Sequence, residues 1–350
     1  MTDGVVLYAP NVHTGGGLVL LQALLAAWPG VMPFNAFLDA RARTRLVLPK
    51  GANVSWVTAS VSSRLKAEFS LRGTAEPGHT LLCFHGLPPL LPSKAQVVVF
   101  QQNRITLGLE ALSKFAWRTR LRLTCERILG RALRHRVSRY VVQTPAMRHA
   151  VMERYGSSTV GASAPVIILP FVDTLPEAGN RNQSAMEWDF VYVADGEAHK
   201  NHRTLLAAWQ LLAEAGFRPS LALTLGSRDE ALCREIESAC AIETLHIRNL
   251  GQLPRQDVLE LYAKARAMIF PSTAESFGLP LIEAEHMGLS ILASELDFVR
   301  DVCRPAQTFD PLSPVSIARA VKRFLGSPDP HLTLRTPAQF WEALLGDGSR

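Results

Sequence analysis

The chain has 350 residues, long enough for about two domains of ~100–200 residues each, and its 47% hydrophobic and 19% charged fractions are those of a globular protein. The net charge of +6 is modest and unevenly spread. No apolar run approaches the ~20 residues of a membrane span, and the opening stretch MTDGVVLYAPNVHTGGG has neither the basic region nor the cleavage site of a signal peptide. Five scattered cysteines (Cys83, Cys125, Cys233, Cys240, Cys303) lack metal-ligand spacing, so reduced thiols in a cytoplasmic protein are expected.

Gly4 to Ala9 reads as a first buried strand, followed by a turn containing Gly15, Gly16 and Gly17 and an apolar helix, Leu18 to Trp28. Glycines between strand and helix let backbone approach a phosphate or sugar. The run is not G-x-G-x-x-G, so the dinucleotide fingerprint does not apply. Strand-like runs recur at Phe34–Leu38, Thr44–Leu48, Val54–Val57, Thr80–Phe84 and Gln96–Phe100, interspersed with helical segments such as Val61–Phe69. The alternation predicts an α/β fold with parallel sheets covered on both faces. Ligands then sit at carboxyl ends of strands, which singles out His85 after one strand and Gln102 and Asn103 after the next. The amides bind hydroxyls but do not exchange protons at neutral pH.

From Lys114 to Arg139 nine basic residues face one acid, Glu126, with apolar residues interleaved. The pattern predicts one or two amphipathic helices with a cationic face. Contact with an anionic membrane surface and an ordinary solvated face over a core both fit. Nucleic acid is a poor third, because no recognition motif accompanies the run. Ala146–Tyr155 is a predicted helix capped by Thr144, and Val166–Phe171 a strand. A polar stretch, 173–187, reads as the hinge between two halves.

The second half opens with a strand, Asp189–Ala194, and a helix, Leu205–Ala215. Lys200 lies between them, where an ammonium would neutralise a diphosphate. Strands Leu221–Leu225 and Leu245–Leu250 end at Gly226 and Gly251, and a helix is predicted over Asp257–Arg266. Next comes IFPSTAESFGLPLIEAEHMGLSILAS, Ile269 to Ser294: strand, loop, short helix from Leu279 with Pro280 in its first turn, second strand. The amides of Ser276, Phe277, Gly278 and Leu279 open that helix and favour an anion. Glu275 and Glu283 frame the site. Carboxylates beside a phosphate site repel it, so they must serve another purpose, and accepting from sugar hydroxyls is one. A helix capped by Ser313 runs to Leu325, and a last one covers Thr336–Leu345.

The string Glu275-Ser276-Phe277-Gly278-Leu279-Pro280 with Glu283-Ala284 resembles the E-x7-E signature of retaining nucleotide-sugar glycosyltransferases of family 4-like, group 1 type, built from two Rossmann-like domains facing across a cleft (the GT-B fold). The likeness is strong over about 189–311 and loose before it. It implies an acceptor domain over 1–172, the linker 173–187, a donor domain over 188–330, and a terminal helix in 331–350 returning to the first domain. It also implies roles. Glu275 contacts the donor sugar and Glu283 the ribose. Lys200 neutralises the diphosphate with the backbone of Gly15–Gly17 and the amides of 276–279. Gly226 and Gly251 border the nucleobase, and Gln102 and Asn103 lie on the acceptor side.

Two departures stand out. Asp195 occupies the position of an arginine, and Gln102 and Asn103 stand where a histidine is common, leaving His85 as the nearest catalytic candidate. No Asp-x-Asp occurs, so neither metal nor further cofactor is expected. The implied reaction moves a hexose from a nucleotide-diphosphate sugar to a glycan or lipid-linked glycan with retention, the leaving phosphate accepting the proton, in cell-surface polysaccharide synthesis at the inner face of the membrane. A sugar-nucleotide epimerase or phosphorylase and a non-catalytic scaffold remain the alternatives.

Overall fold

The computed structural model describes residues 4–30, 32–108, 112, 117–156, 164–173 and 186–329. The predicted terminal helix and most of the predicted linker lie outside the described residues. The apolar runs form two sheets in which every pairing is parallel. The first takes β1 (Val5–Ala9), β2 (Phe34–Asp39), β3 (Asn53–Val57), β4 (Thr80–Cys83), β5 (Gln96–Phe100), β6 (Arg139–Val142) and β7 (Val166–Ile168) in the order β3-β2-β1-β4-β5-β6-β7. The second takes β8 (Trp188–Tyr192), β9 (Leu221–Leu223), β10 (Ile247–Asn249), β11 (Ala265–Phe270), β12 (Ser290–Ser294) and β13 (Gln307–Phe309) in the order β10-β9-β8-β11-β12-β13. Both orders reverse direction at the first strand of the sheet, and that reversal opens a crevice outside the carboxyl ends of the strands.

Strand side chains alternate between faces, so each strand of the first sheet feeds two cores. Val6 and Tyr8 join Leu81, Cys83, Val97 and Val99 on one side, while Leu7 and Ala9 join Ala36, Leu38 and Phe100 on the other. Helices α1 (Gly15–Ala26), α2 (Val61–Thr74), α3 (Trp117–Leu133) and α4 (Pro145–Tyr155) lie between these strands. In the second half, α5 (His202–Glu214), α6 (Glu230–Glu243), α7 (Arg255–Ala263), α8 (Leu279–His286), α9 (Asp297–Arg300) and α10 (Pro314–Phe324) follow strands in turn. Trp209 of α5 is buried there, its indole N–H donating to the Pro219 carbonyl at 3.0 Å.

Some expected elements differ. Thr44–Leu48 is not a strand. Asp39 accepts from the Arg41 amide and binds its guanidinium, pulling Ala40–Ala42 into a 3-10 turn, and Val47 is left exposed. The helix expected over Asp257–Arg266 stops at Ala263, because Ala265 already pairs with Trp188 at the start of β11. The strand expected to reach Phe171 ends at Ile168.

Asn201 fixes the junction before α5. Its φ is 62°, and its side-chain N–H donates to the carbonyls of Pro271 (3.1 Å) and Pro311 (2.7 Å), tying three strand-end loops together. Asn201→Ala is expected to lower stability by about 2–4 kcal/mol, from three lost part-buried hydrogen bonds (the third accepted from the Thr204 hydroxyl) and left-handed strain. Asn201→Gly should cost less because the strain disappears, and urea denaturation of the two variants checks the order.

Candidate active site

The left-handed turn at Asn201 sets the position of its neighbour Lys200. The Lys200 carbonyl accepts from the Tyr192 hydroxyl at 2.7 Å, and the His199 carbonyl accepts from the Thr273 amide at 2.8 Å. The loops after β8 and β11 are thereby held side by side. Across them the Lys200 ammonium donates to Glu275 Oε1 at 2.6 Å, and the Ser272 hydroxyl donates to the same oxygen at 2.8 Å. Both charged side chains are mostly buried, at 17% and 11% exposure. Burial alone would pull the lysine pKa down; the attraction and hydrogen bond of Glu275 outweigh it, and the ammonium is held above its usual range.

Gly278, at φ 73°, turns the chain into α8. Among the described residues, the amides of Ser276 to Leu279 donate to no other group. One turn into α8, Glu283 is 9% exposed and accepts from Arg255 Nε at 3.1 Å, while the same guanidinium reaches Asp173 at 2.5 Å. Burial pushes the Glu283 carboxyl up and Arg255 pulls it back part of the way. Asn249 ties Leu225, the residue before Gly226, to Gly251: its side-chain oxygen accepts from the amides of Leu225 (2.9 Å) and Gly251 (3.2 Å).

The glycine loop of the first half meets this group directly. A Cβ on Gly16 would lie 3.1 Å from the Leu279 side chain, and one on Gly17 would lie 3.3 Å from Gln102 Oε1. Leu279 packs on the first domain's core. The Arg104 amide donates to the Ser276 hydroxyl at 2.9 Å, so the β5 end touches the β11 end across the two domains. Gly16 and Gly17, in the first turn of α1, thus neighbour Leu279 and Gln102, while a Cβ on Gly15 would meet nothing within 4 Å. Asn103 is spent locally, its side chain capping the turn Arg104–Leu107.

His85 points into its own domain. Its Nδ1 lies 3.3 Å from the Tyr8 carbonyl, its ring meets the Tyr8 ring edge-on, and burial pushes its pKa down to about 4. Phe277 is buried beside the site.

Sequence reasoning missed Arg255, Ser272, Asn201 and a pair on the acceptor side, His13 and Asp39. Asp39 is 1% exposed and holds Arg41 at 2.7 Å, with His13 Nδ1 3.6 Å away and also 3.3 Å from the Asn11 carbonyl. Nδ1 thus faces two acceptor groups. Such pairs arise only when separate strand ends come together, so nothing in the local sequence marks them.

Two doubly wound parallel domains joined at the carboxyl ends of their strands define the GT-B class. Solved structures agree. The chain is similar to a sucrose-phosphate synthase from Thermosynechococcus elongatus, with TM-score 0.66, 17% identity and coverage of 93% of this chain and 90% of that one. It is similar to Anabaena HepE in complex with UDP and glucose, with TM-score 0.64, 13% identity and the same coverage. Residues 177–339 match the family described as glycosyl transferases group 1. The chain is also similar to the O-antigen chain mannosyltransferase B of Escherichia coli, 36% identical over 123 residues (34% of this chain, 32% of the relative), and to the serotype-specific mannosyltransferase WbdA of the same organism, 30% identical over 141 residues (39% and 17%). The chain thus spans a third or less of the length of these curated relatives.

His202, at the start of α5, has both ring nitrogens buried without a partner among the described residues, and burial pushes its pKa down to about 4. The unfolded chain takes up this proton near 6.5, the folded ring only near 4, so the native state is favoured fully above about pH 6.5 and loses that margin as pH falls to about 4. In His202→Phe the pH dependence of stability over this window should flatten by up to about one proton. Denaturation midpoints measured across the window give the slope.

Proposed function

We propose that the protein is a retaining glycosyltransferase that moves a hexose from a nucleotide-diphosphate sugar to a hydroxyl of a glycan or lipid-linked glycan in O-antigen-like cell-surface polysaccharide synthesis. The observation that carries this reading is the buried Lys200–Glu275 pair beside the unpartnered amides of 276–279, with Glu283 one turn into the same helix. The diphosphate would take the amides, the α8 dipole and the Lys200 ammonium, and Glu275 would be released to the sugar hydroxyls. This is the positive field that a metal supplies elsewhere, and we infer that no metal is required. Glu283 accepts from the ribose hydroxyls with Arg255 keeping it oriented.

The backbone of Gly15–Gly17 closes over the donor from the other side, and Gly226 and Gly251 border the base. Phe277 is a buried anchor of the loop. His13, steered by Asp39, offers Nε2 to the acceptor hydroxyl beside Gln102, which places orientation of the acceptor on these two residues and leaves His85 a structural histidine. The leaving phosphate takes the acceptor proton, so no side-chain base needs to be charged. The relatives named mannosyltransferases make a mannosyl donor the first to try, followed by glucosyl and galactosyl donors.

Glu283→Gln and Lys200→Met are each expected to lower kcat/KM for donor turnover by on the order of 100-fold or more while the protein stays folded. Lys200→Met also strands Glu275 in a dry site, so its stability loss should largely vanish in Lys200→Met/Glu275→Gln, with activity still absent. Nucleotide release coupled to an added acceptor is the readout. Release without acceptor dependence would point to the epimerase or phosphorylase reading, and donor binding without release to the scaffold reading.

A further inference from the structure

The sequence left open whether the apolar residues of helix α3 face a core or a membrane surface, and the larger ones turn outward. Its inward face is narrow: Leu123 and Gly130 are buried, Glu126 is half-buried, and Arg127 donates to the Ile105 carbonyl. Trp117, Leu121 and Ile128 are 68%, 59% and 61% exposed. At roughly 100° per residue these three fall within about 40° of one another, on the side opposite Leu123 and Gly130. Arg118, Arg120 and Arg131, all exposed, flank that stripe on both sides, while Arg122 turns toward Glu126 and the Glu197 loop.

A second stripe adjoins it. Val61, Leu65 and Phe69 of α2 repeat every four residues and are 75%, 49% and 65% exposed. The helices border one loop: Glu68 of α2 accepts from the amides of Leu90 and Leu91, and Arg136, just after α3, donates to the Leu90 carbonyl. Leu90 itself is 41% exposed. Exposed Lys66 and Arg72 belong to α2, and its acid Glu68 is buried and engaged by the Tyr8 hydroxyl. The fully exposed charges of both helices are thus all positive.

We propose that the outer faces of α3 and α2 dock on an anionic lipid surface, with Trp117, Leu121 and Ile128 entering the headgroup boundary and the flanking arginines binding lipid phosphates. Apolar residues left outside on a soluble fold are a liability unless covered. The row of cations around them selects what covers them: an apolar layer edged with negative charge, as an anionic bilayer presents and an ordinary protein groove seldom does. Arginine suits that edge, since its fork binds phosphate with two N–H groups. The proposal goes beyond sugar transfer and holds for an inactive chain.

The test is flotation of the full chain with phosphatidylcholine vesicles, with and without phosphatidylglycerol. The protein should float only with the anionic lipid and be released by salt. Each basic residue removed should weaken partitioning about five-fold, so Arg118→Gln/Arg120→Gln/Arg131→Gln should lose roughly 100-fold. Trp117→Ala/Leu121→Ala/Ile128→Ala should lose a comparable factor. Circular dichroism and turnover of a soluble acceptor should match the parent in both, separating a docking defect from a failed transferase assignment. The proposal is overturned if the parent chain stays with the supernatant, if neither variant changes flotation, or if light scattering shows a dimer that the alanine variant dissolves, which would assign the face to a second copy of the chain.

Discussion

The site depends on one ion pair. Lys200 and Glu275 sit on loops after two different strands, and their contact at 2.6 Å is mostly shielded from water. A buried pair of this kind gives little net stability, because the desolvation of both charges nearly cancels their attraction. What it gives is readiness. The lysine is kept charged in a place where burial alone would favour losing the proton, and the Glu275 side chain is held in place by Lys200 and Ser272. On the proposed function, a diphosphate displacing Glu275 from Lys200 would find the ammonium already desolvated and would free the carboxylate for sugar hydroxyls.

The rest of the architecture serves that arrangement. Parallel strands bring their carboxyl ends to one edge, so loops far apart in sequence become neighbours. Asn201, in a conformation few residues tolerate, locks the Lys200 loop to Pro271 and Pro311. Gly278 turns the chain so that α8 starts at the edge with unpartnered amides, and Gly16 lacks the side chain that would meet Leu279. The second charged pair, Glu283 with Arg255, repeats the device a turn away, and Arg255 carries it to Asp173 between the domains.

Much of this was legible in the sequence because the chemistry is local. The α8 motif places Glu275, the amides and Glu283 within nine consecutive residues, and strand-loop-helix punctuation by Gly and Pro marks it without any tertiary information. Lys200 was legible for the same reason. Contacts made by folding were not: Arg255 on Glu283, Ser272 on Glu275 and His13 beside Asp39 join segments that carry no mark of one another. Thr44–Leu48 misled because its apolar pattern fits a strand, while Asp39 captures Arg41 and bends the chain first. The basic helix was legible only in part. Its periodicity announced an amphipathic helix, but periodicity is silent on which face turns inward, and here the larger apolar residues turn out.

The most direct measurement is a structure of the protein soaked with a nucleoside diphosphate sugar. The account predicts diphosphate oxygens against the amides of 276–279 and the Lys200 ammonium, ribose hydroxyls on Glu283, and Glu275 swung from the lysine to the sugar. A nucleotide bound elsewhere, or one bound here with the Lys200–Glu275 contact intact and Glu283 still closed on Arg255, would contradict it.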